Sequence, residues 1–300
     1  MKLLLCGDFD AAERARWQQA LAAALPEAMW LDVATARARP DEVLAAVVAN
    51  PPPGSLQGLP ALRLIQSLWA GVDRLLADPT LPAGVPVARM VDPAMTAAMA
   101  ETTLWAVLSL HRGFFDYARQ QREARWLVLG QRRAEEVRVL VLGQGEMGRA
   151  AAARLAQQGY AVQGWRRDGR ALPPLLAQCD IVVNLLPLTA DTRGLLDARF
   201  FTALPRGAAV VNLARGAHVV DADLRAALDS GHLQHAVLDV FHTEPLPAEH
   251  VWWQHPRVTV LPHAAALTDP RSAAAVAATN LRAACSGAAP AYRVDRERGY

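Results

Sequence analysis

The chain has 300 residues, of which 52% are hydrophobic and 20% charged, and its formal net charge at pH 7 is +2. A polypeptide of this length is too long for one ordinary core and fits two domains of roughly 100–200 residues each. The composition is typical of a folded globular protein, and a net charge so close to zero argues against nucleic acid as a partner.

The cysteines and the first residues bear on the cellular compartment. Cys6, Cys179 and Cys285 are far apart and lack the spacing of a metal site, so we expect reduced thiols and no bound metal. The first apolar run stops at Gly7 and Asp8, which is too short for a signal peptide. No apolar stretch approaches the roughly 18 residues that cross a bilayer. We therefore expect a cytoplasmic protein with no membrane partner.

Short apolar runs alternate with helical patterns in the first hundred residues. KLLLCGD, ALRLIQSL and VPVARM have the length of strands, whereas AAERARWQQALAAAL has a helical period. This alternation predicts a parallel sheet covered by helices. The next segment predicts one long helix near residues 95–121, which would join two domains.

Six further apolar runs of strand length follow that helix, and helical segments separate them. They predict a second, larger, doubly wound sheet. The last helix begins at a proline and is closed by Gly287. We predict two doubly wound parallel-sheet α/β domains with a cleft between them. The predicted flavodoxin-like substrate domain consists of residues 1–97 and 271–300, and the predicted Rossmann-type cofactor domain of residues 98–270.

A glycine motif follows the first predicted strand of the cofactor domain. Gly143, Gly145 and Gly148 have the G-x-G-x-x-G spacing, directly after a strand and at the start of a helix. We expect these glycines, together with Glu146 and Met147 between them, to contact the cofactor. The first glycine permits a tight turn, the second lets the backbone approach a pyrophosphate, and the third allows close helix packing. An ordinary glycine-rich turn can show the same spacing. The strand–loop–helix context favours a dinucleotide site.

The end of the next strand bears on the choice of dinucleotide. NAD-binding chains carry an acidic residue there for the ribose hydroxyls, whereas this chain has Trp165, Arg166 and Arg167. Two guanidiniums can bind a 2′-phosphate through charge-assisted hydrogen bonds, which favours NADP(H). The alternative is a pair of solvated surface arginines. Asp168 leaves NAD(H) possible as a secondary cofactor.

Three later motifs follow predicted strands in a fixed order. They are NLARG at 212–216, DVFHTEP at 239–245 and LPHAA at 261–265. Together with the glycine motif, this order resembles the D-isomer-specific 2-hydroxyacid dehydrogenase family. QSLWAGVDRLL at 66–76 and the Trp-Arg-Arg stretch are similar to the A-type glyoxylate/hydroxypyruvate reductases within it.

The resemblance implies NADPH-dependent reduction of small 2-keto acids, with glyoxylate and hydroxypyruvate as first candidates. His263 would donate a proton to the developing alkoxide, because imidazole titrates near neutral pH. Glu244 would orient the ring and favour its protonated form. Arg215 would bind the substrate carboxylate and keto oxygen and stabilise negative charge as it forms.

The resemblance also implies the remaining site residues. The expected substrate contacts come from one turn: Trp69, Ala70, Gly71 and Val72. Asp239 would bind the nicotinamide carboxamide. The other expected cofactor contacts are Leu186, Pro187, Thr192 and Ala214. The family further implies a homodimer formed through the long helix and its loop.

Two other functions remain open on the sequence alone. One is an NAD-dependent dehydrogenase of the D-lactate or phosphoglycerate type, which the basic Trp-Arg-Arg stretch disfavours. The other is a non-enzymatic binding protein that senses nicotinamide cofactors, because a fold alone does not determine function. A pure sensor would not require Arg215, Glu244 and His263 together.

Overall fold

The computed structural model describes all 300 residues, which form two compact units. Unit 1 consists of Met1–Met95 and Thr268–Tyr300, and unit 2 of Thr96–Leu267. The chain passes from unit 1 to unit 2 within one helix, α4, which spans Pro93–His111. No helix combines the length and apolar character needed to cross a membrane.

Unit 1 contains a five-stranded sheet in which every neighbouring pair of strands is parallel. Its order is β2-β1-β3-β4-β5, the order of flavodoxin-like folds. The strands are β1 (Lys2–Gly7), β2 (Met29–Leu31), β3 (Val43–Ala49), β4 (Leu64–Ser67) and β5 (Val87–Ala88).

β2 and β3 were not among the strands predicted from the sequence. β3 has the sequence VLAAVVA, and six of its seven residues are buried. A central parallel strand is covered on both faces, so it lacks the alternation of apolar and polar residues that reveals an exposed strand.

Helices cover this sheet, and their ends follow capping rules. The Asp10 side chain accepts the Glu13 N–H at the start of the first helix. The last helix ends where Gly287 adopts φ +84° and the Ala288 N–H bonds to the Ala283 carbonyl, as in a Schellman motif. The helices besides α4 are α1 (Ala11–Ala24), α2 (Val33–Ala38), α3 (Asp73–Leu76) and α10 (Pro270–Cys285).

Unit 2 contains the six predicted strands in one wholly parallel sheet. Its order is β11-β10-β9-β8-β6-β7, so the direction of winding reverses between β6 and β8. Ligands of open α/β sheets bind at such a reversal, beyond the carboxyl ends of the strands. The strands are β6 (Arg138–Leu142), β7 (Ala161–Trp165), β8 (Ile181–Asn184), β9 (Ala208–Asn212), β10 (Leu233–Leu238) and β11 (Val258–Val260).

Alternate side chains of β6 are buried in two different hydrophobic clusters, one on each face of the sheet. Leu140 and Leu142 belong to one cluster of buried residues, and Val139 and Val141 belong to another. The sheet is therefore covered on both faces, as its continuous apolar strands predict. The remaining helices of unit 2 are α5 (Phe114–Arg122), α6 (Glu146–Gln157), α7 (Pro173–Leu176), α8 (Ala198–Ala203) and α9 (Asp221–Asp229).

The prediction of one continuous helix near 95–121 is wrong. α4 ends at His111 and α5 begins at Phe114, because Gly113 adopts φ +67° between them. A Cβ at Gly113 would also lie 2.9 Å from the Leu129 side chain. This backbone conformation suits glycine and interrupts the helix.

Candidate active site

The glycine turn joins β6 to α6 at the reversal of the sheet. Gly143 adopts φ +94°, and a Cβ there would overlap the backbone of Leu185, which follows β8. A Cβ on Gly148 would overlap the carbonyl oxygen of Gly143. Both positions therefore require glycine so that the turn, the helix and the neighbouring loop can pack closely.

Gly145 has a different environment from the other two glycines. No atom lies within 4 Å of where its Cβ would be, and it is the N-cap of α6 without a side-chain hydrogen bond to the first turn. The N–H groups at this helix end are therefore available to an anion, and the helix dipole favours one. Glu146 is exposed and forms an ion pair with Arg149. Met147 is half-buried.

The arginines after β7 are exposed and paired with aspartates. Nε of Arg166 lies 3.1 Å from Asp168, and Nη1 of Arg167 lies 2.5 Å from Asp191. The bond from Arg166 holds the pKa of the Asp168 carboxyl below its ordinary value. Trp165 is buried, and its indole N–H donates to the Arg170 carbonyl at 3.0 Å. The basic stretch therefore carries two guanidiniums that are already paired with carboxylates. A phosphate group that bound there would compete with Asp168 and Asp191 for them.

The loop after β8 is held by its own hydrogen bonds. The Thr192 hydroxyl donates to the Pro187 carbonyl at 2.7 Å and accepts the Thr189 N–H at 2.8 Å. Thr192 is only 2% exposed, and Leu186 is also buried. Thr192 therefore shapes the loop beside the glycine turn.

Arg215 follows β9 in a turn that the preceding motif residues build. The Asn212 amide donates to the Arg215 carbonyl at 3.0 Å, and its oxygen accepts the Ala214 N–H at 3.3 Å. Gly216 lies so close to Phe241 that a Cβ would overlap that residue's backbone. The half-buried guanidinium donates to the Ala214 carbonyl at 2.7 Å. Glycine at 216 thus lets the Arg215 turn pack on the loop that carries Glu244.

His263 and Glu244 form a hydrogen-bonded pair at the ends of neighbouring strands. Nδ1 of His263 lies 2.7 Å from Oε2 of Glu244, and Oε1 of the same carboxylate accepts the Phe241 N–H at 2.8 Å. Glu244 is thereby fixed by its own loop. With Nδ1 engaged, Nε2 of the half-exposed ring is the nitrogen that can act as a proton donor.

Asp239, at the end of β10, supports the His263 loop. Its carboxylate accepts the N–H groups of Ala264 at 2.7 Å and Ala265 at 3.1 Å, and its carbonyl accepts the His263 N–H at 2.8 Å. Burial raises the pKa of the Asp239 carboxyl, although the two N–H donors oppose this. These bonds hold His263 at φ +54°, a conformation that is rare outside glycine. The carboxamide role expected for Asp239 stays a prediction.

The predicted substrate turn belongs to unit 1. The Trp69 carbonyl accepts the Met90 N–H at 3.0 Å, and its ring makes an edge contact with buried Trp17, with centroids 6.4 Å apart. Val72 is buried, whereas Ala70 and Gly71 are half-buried. The turn is therefore well anchored in its own unit, and its substrate role stays a prediction.

The structure brings the three expected catalytic residues to one edge of one sheet. Arg215, Glu244 and His263 follow β9, β10 and β11, which are neighbours in the parallel sheet. The glycine turn, the Trp-Arg-Arg stretch and the Thr192 loop follow strands of the same sheet. This edge presents a glycine turn with an uncapped helix N-terminus, an imidazole hydrogen-bonded to a carboxylate, and a guanidinium.

Two features that support this edge were not predicted from the sequence. Asn184 and His218 are wholly buried beside Asn212 and bond to one another. Gly164 leaves space for the Gln144 side chain, which a Cβ would overlap. Nothing in the sequence around Asn184 indicates that its partner His218 lies 34 residues away.

Comparison with known proteins agrees with this fold. Residues 104–265 match the model of the D-isomer specific 2-hydroxyacid dehydrogenase NAD-binding domain. Glyoxylate/hydroxypyruvate reductase A of Serratia proteamaculans is 36% identical over 317 aligned positions, covering 100% of both chains. The chain belongs to the D-isomer-specific 2-hydroxyacid dehydrogenase family.

Solved members of this family have the same fold over their full length. A family member from Xanthobacter autotrophicus, solved with NADPH and MES, is 41% identical with a TM-score of 0.92 and covers 100% of this chain and 99% of its own. The NADPH-dependent glyoxylate/hydroxypyruvate reductase of Sinorhizobium meliloti, solved with NADP and sulfate, is 33% identical with a TM-score of 0.91 and has the same coverage.

The residues present here fit a phosphorylated dinucleotide. The Gly145 N-cap has open space in front of an uncapped helix, which suits a pyrophosphate. Arg166 and Arg167 are exposed cations at the end of the second strand, where the adenosine ribose binds in this fold. These two features would hold NADP(H) by its phosphates.

Proposed function

We propose that the protein is an NADPH-dependent reductase of small 2-keto acids. The observation that carries this proposal is the hydrogen-bonded pair of Glu244 and His263, which follow β10 and β11, at the same edge of the sheet as Arg215, which follows β9 beside β10. The pair offers a proton, and Arg215 offers a positive charge for the carboxylate and the developing alkoxide. NADPH, when bound, supplies the hydride from C4 of its nicotinamide.

The residues of the chain supply the proton and the electrostatics. Nε2 of His263 gives a proton to the substrate oxygen, while Glu244 balances the positive ring and fixes its orientation. Arg215 lowers the energy of the negative oxygen and orients the carboxylate. We retain Trp69, Ala70, Gly71 and Val72 as proposed substrate contacts. Their backbone N–H groups would complement a carboxylate.

The preference for NADPH rests on the residues after β7. Arg166 and Arg167 can bind the 2′-phosphate that distinguishes NADPH from NADH. Asp168 is already bonded to both Arg166 and Arg170, so it is less available to the ribose hydroxyls of NADH. NADH would therefore serve as a weaker, secondary cofactor.

The substrate class follows from the site and from the relatives. The relatives in Serratia and Sinorhizobium carry the name glyoxylate/hydroxypyruvate reductase, and glyoxylate and hydroxypyruvate are small keto acids with one carboxylate. One cation and one proton donor suffice for such a substrate. The D-hydroxy acid would be the product from hydroxypyruvate.

An absorbance assay tests this function. The purified protein should oxidise NADPH in the presence of glyoxylate or hydroxypyruvate, with a much higher kcat/KM than with NADH. Activity only with NADH and lactate- or phosphoglycerate-type substrates would favour the NAD-dependent dehydrogenase. NADPH binding without turnover of any small keto acid would favour a sensor.

We infer a homodimer formed through α4, α5 and the loop that follows them. Large apolar side chains are exposed along this segment, and Trp126 is 97% exposed. Patches of this kind on a folded protein commonly mark an interface with another subunit. The exposed members are Trp105, Leu108, Phe114, Trp126, Leu127 and Val128.

We also propose a cytoplasmic location. Cys6, Cys179 and Cys285 are all free thiols, as expected for a reducing compartment. Burial raises the pKa of the Cys179 thiol to about 12, which makes this thiol unreactive.

A further inference from the structure

Three polar side chains lie wholly buried beneath the carboxyl edge of the unit 2 sheet. Asn184 ends β8, Asn212 ends β9, and His218 lies in the short helix Gly216–His218, and each is 0% exposed. Buried polar groups destabilise a fold unless they are hydrogen-bonded. Their bonding pattern therefore carries information about what they hold.

Backbone contacts fix the orientation of both amides. The Leu186 N–H donates to Oδ1 of Asn184 at 3.2 Å, so the Asn184 NH2 group points the other way. That group donates one hydrogen to Oδ1 of Asn212 and the other to Nδ1 of His218, each at 3.0 Å. Asn212 is oriented by the Ala214 N–H on its oxygen.

The amide orientation determines the tautomer of His218. Because Nδ1 accepts a hydrogen bond from Asn184, the ring proton must lie on Nε2. Nε2 then donates to the Pro187 carbonyl at 3.3 Å. Protonation of Nδ1 would place two donors face to face, so the network holds His218 as a neutral imidazole.

The network connects the two parts of the site. At one end it holds Pro187, which begins the loop beside the glycine turn and also accepts the Thr192 hydroxyl. At the other end Asn212 holds the carbonyl of Arg215. One chain of hydrogen bonds therefore runs from the cofactor loop to the turn of the substrate-binding arginine.

We propose that His218 is a positioning residue that sets the Pro187 loop against the glycine turn and, through Asn184 and Asn212, sets the Arg215 turn. The part of this inference that concerns Arg215 rests on the proposed function. The part that concerns NADPH binding by the Pro187 loop does not depend on turnover of a keto acid. His218 touches neither reactant. Its effect comes from the geometry of residues that do.

Two amide variants distinguish the hydrogen bond between His218 and Asn184 from the one between His218 and the Pro187 carbonyl. In His218→Gln, the longer amide can accept from Asn184 and still donate to Pro187. In His218→Asn, the shorter amide can accept from Asn184 but cannot reach Pro187. We expect H218N to raise the NADPH dissociation constant about 3- to 10-fold and to lower kcat/KM for glyoxylate by a similar factor. H218Q should restore both to within about twofold of the native protein.

His232 provides a matched control. Its Nε2 bonds to the Phe201 carbonyl at 2.9 Å, and it immediately precedes β10, at the opposite edge of the same sheet. H232N loses an equivalent bond and should leave NADPH binding and kcat/KM unchanged, even if its melting temperature falls.

NADPH binding by fluorescence titration, steady-state kinetics and thermal unfolding should be measured on all three variants. The proposal is overturned if H218N and H218Q bind NADPH equally well, or if H218N changes only the melting temperature. If the native protein reduces no keto acid, the proposed function fails. In that case the NADPH titrations of the variants still test whether His218 positions the Pro187 loop.

Discussion

Nδ1 of His263 lies 2.7 Å from Oε2 of Glu244, and the other carboxylate oxygen accepts the Phe241 N–H at 2.8 Å. The carboxylate is therefore held by its own loop and in turn holds the imidazole. The two residues are separated by 19 positions in the chain and meet because β10 and β11 are parallel neighbours. This pair is the basis of the first prediction.

Replacing Glu244 by glutamine should lower kcat for glyoxylate about 10- to 100-fold, because the amide can keep the hydrogen bond but not the negative charge. His263→Ala removes the proton donor and should lower kcat about 10²- to 10⁴-fold. NADPH binding, measured by fluorescence, should change little in either variant. Glu249→Gln, at an exposed glutamate of the same loop, is the control. An active H263A protein would mean that the proton comes from another group.

The second prediction concerns the choice of cofactor. Arg166→Ala and Arg167→Ala should each raise KM for NADPH about tenfold or more, because a charge-assisted bond to the 2′-phosphate is lost. KM for NADH should stay nearly constant. Arg225→Ala, which removes an ion pair with Asp229 on α9, is the control for the loss of an arginine. Equal effects on both cofactors would contradict the assignment.

A related variant should act in the opposite direction. Asp191 pairs with Arg167 at 2.5 Å, so it competes with a phosphate for that guanidinium. Asp191→Asn should therefore lower KM for NADPH modestly, and the effect should shrink at high salt because exposed charges are screened. A rise in KM would indicate that Asp191 positions Arg167 rather than competing for it.

The third prediction distinguishes two glycines of the same turn. Gly145→Ala should fold normally, because its Cβ meets open space, yet bind NADPH more weakly, because the methyl group would face the pyrophosphate. Gly148→Ala should unfold more easily, because its Cβ would overlap the Gly143 carbonyl oxygen. Thermal unfolding without ligand and NADPH titration test these expectations. A destabilised G145A protein with native affinity would contradict them.

The fourth prediction concerns pH and stability. Burial lowers the pKa of His235 from its ordinary 6.5 to about 4 in the folded protein. Between these values the unfolded chain binds more protons, so this residue makes the free energy of unfolding fall as pH falls from about 6.5 to 4. The full effect is roughly 3 kcal/mol.

His235→Gln removes this titration and should flatten the dependence of unfolding on pH over that interval. The His235 ring stacks on Phe115 with centroids 4.6 Å apart and bonds to Thr259 at 2.9 Å, so some stability at neutral pH should also be lost. Denaturant unfolding at several pH values measures both effects. Parallel pH dependences for the variant and the native protein would contradict the assignment.

The fifth prediction concerns the oligomeric state. Replacing Trp126 and Leu127 by aspartate should shift the protein from dimer to monomer, because charges would enter an apolar interface. Analytical ultracentrifugation measures the change. Val251→Asp, at an exposed apolar residue outside this segment, is the control. A native protein that sediments as a monomer at all concentrations would contradict the proposed interface.

Local rules account for what was predicted correctly in the fold. Glycine spacing after an apolar run predicted the turn at Gly143, and a proline and a glycine predicted the bounds of α10. Local rules failed at β3, where burial on both faces removes the periodicity, and at Gly113, where one left-handed residue divides a helical pattern.

The sequence by itself determined which chemical groups the site contains, because the ends of successive strands in a parallel sheet reach the same edge. It predicted that Arg215, Glu244 and His263 would each follow a strand, whereas the structure showed that these strands, β9, β10 and β11, are consecutive in the sheet. Only the tertiary structure decided what holds them in place. Asp239 supports the His263 loop, and His218 lies between Pro187 and Asn184, because hydrogen-bond partners in a buried network are chosen by distance in space and not by position along the chain.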